Sequence, residues 1–240
     1  MSKLYIVGTP IGNLQDISLR ALETFKTVDF IACEDTRHTL QLLTHFGIRK
    51  PLISCRAQNE EQKAKDIVDL LKEGKSIAFA SDAGTPALSD PGAVLVKIVR
   101  EAGFQVVPIP GPSALACLLS VAGGKGKTLV FEGFLSPKAG RRKTRVKELL
   151  ASGDSFILYE SPFRIVKLLA DIADIEVGRR VIVGREMTKL HEEFIEGSAG
   201  EVHADFAGRT KILGEFAVFV FENKNAQQLD TSTDNKGKAG

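Results

Sequence analysis

The sequence predicts an α/β fold made of two α/β domains. In the first half of the chain, short apolar runs alternate with helical patterns, and this alternation is typical of a mostly parallel sheet covered by helices. In the second half, a further series of strand and helix patterns follows a glycine-rich segment at residues 123–126. A length of 240 residues with 43% hydrophobic side chains allows one large domain or two small ones, with room for a sizeable core.

The first series comprises five predicted strands separated by four predicted helices. The strands are Leu4–Val7, Phe30–Cys33, Leu52–Ser54, Ile77–Ala80 and Phe104–Ile109. The helices are expected near 18–26, 36–46, 59–73 and 91–102. Their ends carry the usual signals, with glycines at three C-caps and Asp90 as an N-cap followed by Pro91 in the first helical position. The three capping glycines are Gly47, Gly74 and Gly103.

The second series begins after a predicted helix at Pro112–Val121. Its strands are expected near Thr128–Phe134, Ser155–Tyr159, Arg180–Val183, Glu193–Glu196 and Glu215–Phe221, and its helices near 142–151 and 162–173. We assign residues 1–112 to an N-terminal α/β domain and residues 113–222 to a C-terminal one, and the glycine-rich segment is a second candidate for the boundary. Residues 223–240 carry Leu229 as their only large apolar side chain, so we expect a disordered polar tail.

Charge and cysteine content exclude several classes of protein. The 32 basic and 30 acidic residues leave a net charge of +2, so a nucleic-acid partner would need a local patch. The three cysteines are odd in number and far apart, which excludes a disulfide framework and a C-x-x-C motif and favours a reducing cytoplasm. The first apolar run is too short for a signal peptide, and prolines interrupt the uncharged stretch 104–124, so no membrane segment is expected.

Three common motifs are incomplete in this chain. Gly126-Lys127-Thr128 resembles the end of a P-loop, but the first glycine of that motif is replaced by Val121. His191-Glu192 begins like a zincin motif, but its second ligand position is Ile195. A G-x-G-x-x-G fingerprint is absent after the first strand, which removes the usual dinucleotide site. No metal site is therefore expected.

Three loops rich in small residues each follow a predicted strand of the first half. In an open α/β sheet, ligands bind outside the carboxyl ends of the strands, where small residues let a ligand approach the backbone N–H groups. Together the loops predict a polar site for a small molecule. They are Gly8-Thr9-Pro10-Ile11-Gly12-Asn13, Ser81-Asp82-Ala83-Gly84-Thr85-Pro86 and Pro110-Gly111-Pro112-Ser113-Ala114.

The order of these loops and of four further segments resembles one family. The further segments are Ala32–His38, Phe131–Phe134, Tyr159–Pro162 and Arg185–Glu193. From about Leu4 to Glu222 the chain resembles the ribosomal RNA small subunit methyltransferase I family, which is part of the tetrapyrrole-methylase-like, class III methyltransferases. The resemblance implies methyl transfer from S-adenosyl-L-methionine to the ribose 2′-hydroxyl of a decoding-centre cytidine in 16S ribosomal RNA. It also implies a cofactor cleft between the two domains and a homodimer.

Carried over residue by residue, the resemblance implies cofactor contacts from both domains. The N-terminal contacts would be Pro10, Asp82, Ala83, Gly84, Ser113 and Ala114, and the C-terminal ones Phe134, Leu135, Tyr159, Gly214 and Glu215. The chain departs from the family at Cys55-Arg56-Ala57-Gln58 and at Phe163, where histidine is expected, so no role for imidazole carries over there. Longer relatives have an extra helical C-terminal segment where this chain has its polar tail, so an RNA contact made by that segment is expected to be missing.

Candidate catalytic residues follow the predicted strands at the same edge. A base, or a cation that stabilises the developing alkoxide, would help a ribose hydroxyl to react. Asp35 and Arg37 follow the second strand, with the alternative that Asp35 caps the next helix and Arg37 lies in its solvated first turn. Glu160 follows a strand of the second domain, with a structural ion pair as its alternative.

A basic segment follows Phe134, with six basic residues among ten. Such a run is often an ordinary solvated helix face, but side chains of one sign repel each other unless a polyanion is near. With the family resemblance, RNA phosphate is the expected partner. The candidate RNA contacts are Lys138, Arg141, Arg142, Lys143 and Arg145, with Lys147 as the sixth basic residue.

Two other functions share parts of this pattern. A tetrapyrrole C-methyltransferase of the same superfamily would have a similar cofactor site but a wider and more apolar cleft, and the basic segment argues against it. A non-catalytic RNA-binding protein would use the basic segment without a cofactor, and the three small-residue loops argue against that. The apolar run 216–221 is compatible with a dimer interface or with a central strand buried in its own domain.

Overall fold

The computed structural model describes residues 2–223, so the predicted polar tail, apart from Asn223, lies outside the described residues. The chain divides into two compact units between Ala114 and Leu115, whereas the predicted boundary is at 112. The glycine-rich segment 123–126 lies within the second unit. Each unit contains one five-stranded sheet with helices, which confirms the predicted fold class.

The first unit contains a fully parallel sheet, as the alternation of strands and helices predicts. Its strands are β1 (Lys3–Val7), β2 (Phe30–Cys33), β3 (Leu52–Ser54), β4 (Ile77–Ala80) and β5 (Gln105–Ile109). Its helices are α1 (Leu19–Thr27), α2 (Thr36–His45), α3 (Glu60–Lys72) and α4 (Ala93–Glu101), with a 3-10 turn at Leu14–Asp16. The strand order is β3-β2-β4-β1-β5.

Helices cover both faces of this sheet, which explains why its strands read as continuous apolar runs. On one face Leu4, Ile77 and Phe79 pack with residues of α3 and α4. On the other face Ile31 and Ala78 pack with residues of α1 and α2. The parallel arrangement places the carboxyl ends of all five strands, and the loops that follow them, at one edge.

The amino-terminal end of α4 differs from the prediction. The N-cap is Gly92, with φ 130°, rather than Asp90, and the helix begins at Ala93. The Glu60 carboxylate of α3 takes the capping role, because its Oε1 accepts the N–H groups of Gly92 at 2.8 Å and Leu95 at 3.0 Å. A cap supplied by a distant helix leaves no local sequence signal.

The second unit contains a mixed sheet. Its strands are β6 (Leu129–Phe134), β7 (Ser155–Glu160), β8 (Arg180–Arg185), β9 (Glu193–Ser198) and β10 (Phe216–Val220). Its helices are α5 (Ala114–Val121), which begins at the division, α6 (Ala139–Ala151), α7 (Ile165–Ile175) and α8 (Ala199–Gly208). The strand order is β6-β7-β10-β8-β9, in which β6 and β7 pair in parallel and the other neighbours pair antiparallel.

Strand β10 lies at the centre of this sheet. It pairs with β7 on one side and β8 on the other, and all five of its residues are buried. Its apolar side chains on both faces are therefore explained by burial within its own unit, as the central-strand alternative predicts. The strand gives no support to a dimer interface.

Helix α8 has no counterpart in the prediction, although its first residues carry a recognisable signal. Ser198 is the N-cap and forms a capping box with Glu201, in which each side chain bonds the backbone N–H of the other residue. Within residues 2–223, no helix is long and apolar enough to span a bilayer.

Candidate functional site

The first two small-residue loops are joined by backbone hydrogen bonds. The Thr9 N–H donates to the Gly84 carbonyl at 2.9 Å, and the Gly84 N–H donates to the Thr9 carbonyl at 3.1 Å. The Thr9 hydroxyl donates to the Ser81 carbonyl at 3.3 Å. Because β1 and β4 are neighbours, the loops after them meet at the carboxyl edge of the sheet.

The third loop joins them through a close approach of two glycines. A Cβ placed on Gly8 would lie 2.8 Å from the Gly111 Cα, and one placed on Gly111 would lie 2.7 Å from the Gly8 carbonyl oxygen. The Thr85 hydroxyl also donates to the Pro112 carbonyl at 3.2 Å. Only glycine fits at Gly8 and Gly111, so all three predicted loops form one structure.

The cofactor residues expected in the first unit lie in or beside this structure. Pro10 is buried, Asp82 is half-buried, and Ala83 is exposed. Gly84 is buried and has φ +77°, a conformation that glycine adopts without strain. Ser113 is half-buried directly before α5, and Ala114 is half-buried at its first residue.

A polar depression lies beside these loops, at the ends of β2, β3 and β4. The Asp35 N–H donates to Asp82 Oδ1 at 3.0 Å, which ties the loop after β2 to the loop after β4. The Arg56 guanidinium donates to the Glu34 carbonyl at 3.4 Å. The depression is lined by Glu34, Asp35, Arg56, Gln58, Asn59 and Asp82.

Asp35 caps α2, as the structural alternative for this residue predicts. Its carboxylate accepts the Arg37 N–H at 2.9 Å and pairs with the Arg37 guanidinium at 2.7 Å. The hydrogen bonds from the Arg37 side chain and backbone hold the pKa of Asp35 well below its usual range. A carboxylate held this way is a weak proton acceptor.

Glu34 is a candidate that sequence reasoning missed. Its half-buried carboxyl lines the same depression, and burial raises its pKa above the usual value, with further upward contributions from Asp82 and Asp35 and a downward one from Arg56. A raised pKa makes a carboxylate a stronger proton acceptor. The signal was an acidic residue directly after a buried strand, which the capping pattern of Asp35 obscured.

The expected cofactor residues of the second unit gather at one edge of its sheet. Strands β6, β7 and β8 end at this edge, and β9 and β10 begin there. The half-buried Tyr159 ring makes edge contacts with Phe131 at 5.1 Å and Phe134 at 5.8 Å between centroids. Leu135 is buried, while Phe134 is 55% exposed.

Gly214 and Glu215 lie at the same edge, beside the loop that follows β8. The Glu186 N–H donates to the Glu215 carbonyl, and the Glu215 N–H donates to Glu186 Oε1 at 2.9 Å. Gly214 has φ +99°, and a Cβ on it would collide with the Glu186 side chain. Burial acts to raise the pKa of Glu186, but hydrogen bonds from Lys189 and the Glu215 backbone outweigh it, and the pKa is lowered.

Glu160 forms a buried ion pair at the end of β7. Its Oε1 accepts the Ser161 N–H and pairs with Arg164, each at 2.7 Å, and Arg164 also donates to the Leu135 carbonyl at 3.2 Å. The Glu160 side chain has no exposed surface, and its Oε2 has no hydrogen-bond partner among the described residues. The ion-pair alternative is therefore what the structure contains.

The basic segment is divided by its contacts. Arg142 is buried, and its guanidinium pairs with Asp171 of α7 at 2.7 Å, so its predicted contact with RNA phosphate is wrong. Arg145 pairs with Glu132 and Glu148, and Lys143 pairs with Asp174. The remaining basic residues, Lys138, Arg141 and Lys147, are exposed.

Among the described residues we find no cluster of metal ligands, and the two buried thiols are not reactive. Within residues 2–223, no group of three or more His, Cys, Asp or Glu residues is placed to hold a metal ion. Cys33 and Cys55 are free and buried, and burial raises the pKa of the Cys55 thiol to about 12. Such a thiol is protonated and inert at neutral pH.

Comparison with known proteins first defines the class. A family model described as Tetrapyrrole (Corrin/Porphyrin) Methylases matches residues 3–203. Among solved structures, a cobalt precorrin-4 methyltransferase of cobalamin biosynthesis covers 91% of this chain and 94% of its own, with 15% identity and a TM-score of 0.66. A uroporphyrin-III C-methyltransferase from Thermus thermophilus covers 97% and 98%, with 15% identity and a TM-score of 0.61. These likenesses show the fold of the tetrapyrrole methylases.

More similar relatives identify the branch of this class. Proteins named ribosomal RNA small subunit methyltransferase I are 45% identical in Borrelia garinii subsp. bavariensis, over 90% of this chain and 97% of the relative, and 46% identical in Thermotoga maritima, over 91% and 97%. The relative of that name in Bacillus subtilis is 41% identical, over 96% and 78%. The chain belongs to the ribosomal RNA small subunit methyltransferase I family, as its motif order predicts.

Proposed function

We propose that this protein transfers a methyl group from S-adenosyl-L-methionine to the ribose 2′-hydroxyl of a decoding-centre cytidine in 16S ribosomal RNA. The observation that carries the proposal is the set of three joined loops at the carboxyl edge of the first sheet, in a chain that belongs to this family. Open α/β sheets bind ligands at this edge.

The three loops fit a polar, charged cofactor, because their small residues let a ligand lie close to the backbone. Gly8 and Gly111 bring two loop backbones together without side chains, and the positive φ of Gly84 lets its N–H and carbonyl both pair with Thr9, which fixes the loop after β4 against the loop after β1. When bound, S-adenosyl-L-methionine supplies a methyl group already activated on a sulfonium. The residues that would hold it are Pro10, Asp82, Ala83, Gly84, Ser113 and Ala114 in the first unit, and Phe134, Leu135, Tyr159, Gly214 and Glu215 in the second.

Because the methyl group is already activated, the protein has to position the hydroxyl, exclude water and accept one proton. We assign the proton acceptor to Glu34, whose carboxyl lines the polar depression beside the loops. Asp35 holds the Arg37 guanidinium, which is 84% exposed and would stabilise the developing alkoxide by its charge. Glu160, with no exposed side-chain surface, acts as a positioning residue for Arg164 and the following turn rather than as a catalytic group.

A methylation assay tests this proposal. Small ribosomal subunits that lack the modification are incubated with the protein and tritiated S-adenosyl-L-methionine, and the RNA is digested to nucleosides. We expect label in 2′-O-methylcytidine, a loss of that label in Asp82→Ala, and unchanged label in Asp69→Asn, an exposed α3 carboxylate paired with Lys72. A parallel incubation offers a porphyrinogen in place of the subunits. Label that enters the porphyrinogen and not RNA would replace this function with tetrapyrrole methylation, and RNA binding without label would indicate a non-catalytic protein.

Two further expectations complete the proposal. The substrate places the protein in the cytoplasm, with 16S ribosomal RNA or the small ribosomal subunit as its partner. The family resemblance also implies a homodimer, although β10 is explained within one unit. Light scattering at micromolar concentration is expected to give twice the chain mass of 26.0 kDa, and a monomer mass would contradict the dimer.

A further inference from the structure

We propose that Phe163, at the turn after β7, is a stacking contact for an unpaired base of the RNA substrate. This inference rests on the proposed function and deepens it, because it assigns a second RNA-contacting surface besides the basic segment. Aromatic rings recognise single-stranded RNA by stacking on its bases.

The first observation is the exposure of the ring. Phe163 is 87% exposed, whereas phenylalanines such as Phe156, Phe206 and Phe219 in the same unit are fully buried. Phe134, at the end of the neighbouring strand β6, is 55% exposed and makes an edge contact with Tyr159. Aromatic surface is thus displayed at the ends of both parallel strands.

The second observation is that the turn is held in place. The buried Glu160 carboxylate accepts the Ser161 N–H and pairs with Arg164. The Arg164 and Ile165 N–H groups donate to the Ser161 carbonyl at 3.1 and 3.0 Å. Arg164 also donates to the Leu135 carbonyl, which ties this turn to the loop after β6. A ring carried on a fixed turn loses little conformational entropy when a base stacks on it.

The third observation is the charge on the segment that is tied to this turn. The loop after β6 leads into Lys138 and Arg141, which are exposed, and its Leu135 carbonyl contacts Arg164 beside Phe163. A polyanion with exposed bases matches this combination of cations and aromatic rings. A second protein surface would match the rings but not the cations, so RNA is the occupant that we assign.

The test compares three variants in binding to small ribosomal subunits and in methylation kinetics. Phe163→Ala is expected to weaken binding roughly 10- to 100-fold and to raise KM with little change in kcat, because one stacked base is lost. Phe163→Trp is expected to bind as tightly as the parent, since the larger ring also stacks on a base. Val177→Ala is the matched control. Val177 is an exposed apolar residue just before the start of β8, at the sheet edge away from Phe163, and this variant is expected to bind like the parent.

The outcomes separate this proposal from its alternatives. Cofactor affinity and oligomeric mass are expected to stay unchanged in Phe163→Ala. Parent-like binding by Phe163→Ala would show that the ring contacts no base, and a change of mass in light scattering with unaltered RNA binding would assign the ring to contact between copies of the chain. If the parent itself methylates no RNA, the proposed function fails, and if it also binds no small subunit, the stacking site fails with it.

Discussion

At the scale of single residues, the close approach of Gly8 and Gly111 joins the third loop to the first. Each glycine faces the backbone of the other, so an added methyl group has no flexible side chain to displace. Backbone has to move instead, and the loops that carry Asp82 and Ser113 would move with it. Substitution here therefore tests the loops as a unit.

We expect Gly111→Ala to lower the affinity for S-adenosyl-L-methionine at least tenfold, because its Cβ would lie 2.7 Å from the Gly8 carbonyl oxygen. Calorimetric titration measures the change. Gly208→Ala is the control, since a Cβ at this last residue of α8 has no neighbour within 4 Å and the position has no positive φ. Equal affinities for the Gly111→Ala variant and the parent would remove the cofactor from these loops.

Glu34 gives a second prediction at this scale. Burial raises the pKa of Glu34, and the neighbouring charges of Asp82 and Asp35 raise it further while Arg56 lowers it. Because the carboxylate is the form that accepts a proton, methylation is expected to fall as the pH drops below this raised pKa. Glu34→Gln is expected to lower kcat on the order of 10²–10⁴-fold and to remove this acidic limb. Asp35→Asn is expected to keep the acidic limb, because the pKa of Asp35 is held well below its usual range and its titration does not produce the limb. A pH–rate profile of Glu34→Gln that retains the limb would reassign the proton acceptor.

At the scale of helices and strands, the basic segment shows how packing changes the meaning of a charge pattern. Helix α6 turns Arg142 inward to Asp171 of α7, while Lys138 and Arg141 remain exposed. In the sequence the six basic residues look equivalent, because Arg142 and Lys143 find their acidic partners in Asp171 and Asp174 of α7. Arg145 pairs with Glu132, 13 residues earlier, as well as with the nearby Glu148. Only the folded chain separates the structural cations from those free to meet RNA.

Arg142→Ala is expected to destabilise the protein by about 3–5 kcal/mol, since it leaves the Asp171 carboxylate buried without its partner. Urea denaturation measures this loss. Arg141→Ala, one residue earlier and exposed, is expected to change stability by no more than about 0.5 kcal/mol. Similar midpoints for both variants would mean that the buried pair contributes little.

Elements whose signals are local were predictable, and those fixed by distant partners were not. Strand β2, with its apolar run, and the glycines that end α2 and α3 were identified from neighbouring residues alone. The start of α4 was misplaced because its cap comes from Glu60, 32 positions before Gly92. The same limit applies to the site, where three loops were found from their composition but the contact between Gly8 and Gly111 and the role of Glu160 required the fold.

At the scale of the whole molecule, a net charge of +2 gives no general attraction to RNA, so binding has to come from local cations. After the ion pairs of α6 are set aside, Lys138 and Arg141 are the cations expected at the RNA phosphates, next to the aromatic edge of β6 and β7. The family resemblance predicts RNA as the partner. Of the five basic residues expected to contact its phosphates, Lys138 and Arg141 are exposed and outside the ion pairs of α6.

Neutralising Lys138 and Arg141 together is therefore expected to weaken RNA binding and to flatten its salt dependence by roughly 0.7–0.9 per lost contact in the log–log slope. Phosphate contacts carry no sequence information, so the choice of cytidine among RNAs that still bind is expected to stay the same. Affinity for small ribosomal subunits measured between low and physiological salt gives the slope. Lys143→Ala is the matched control, because its charge already pairs with Asp174. If the double variant and the parent share one slope, Lys138 and Arg141 belong to an ordinary solvated face. Arg37 and Arg164, which follow β2 and β7, are then the next candidates for the phosphate contacts.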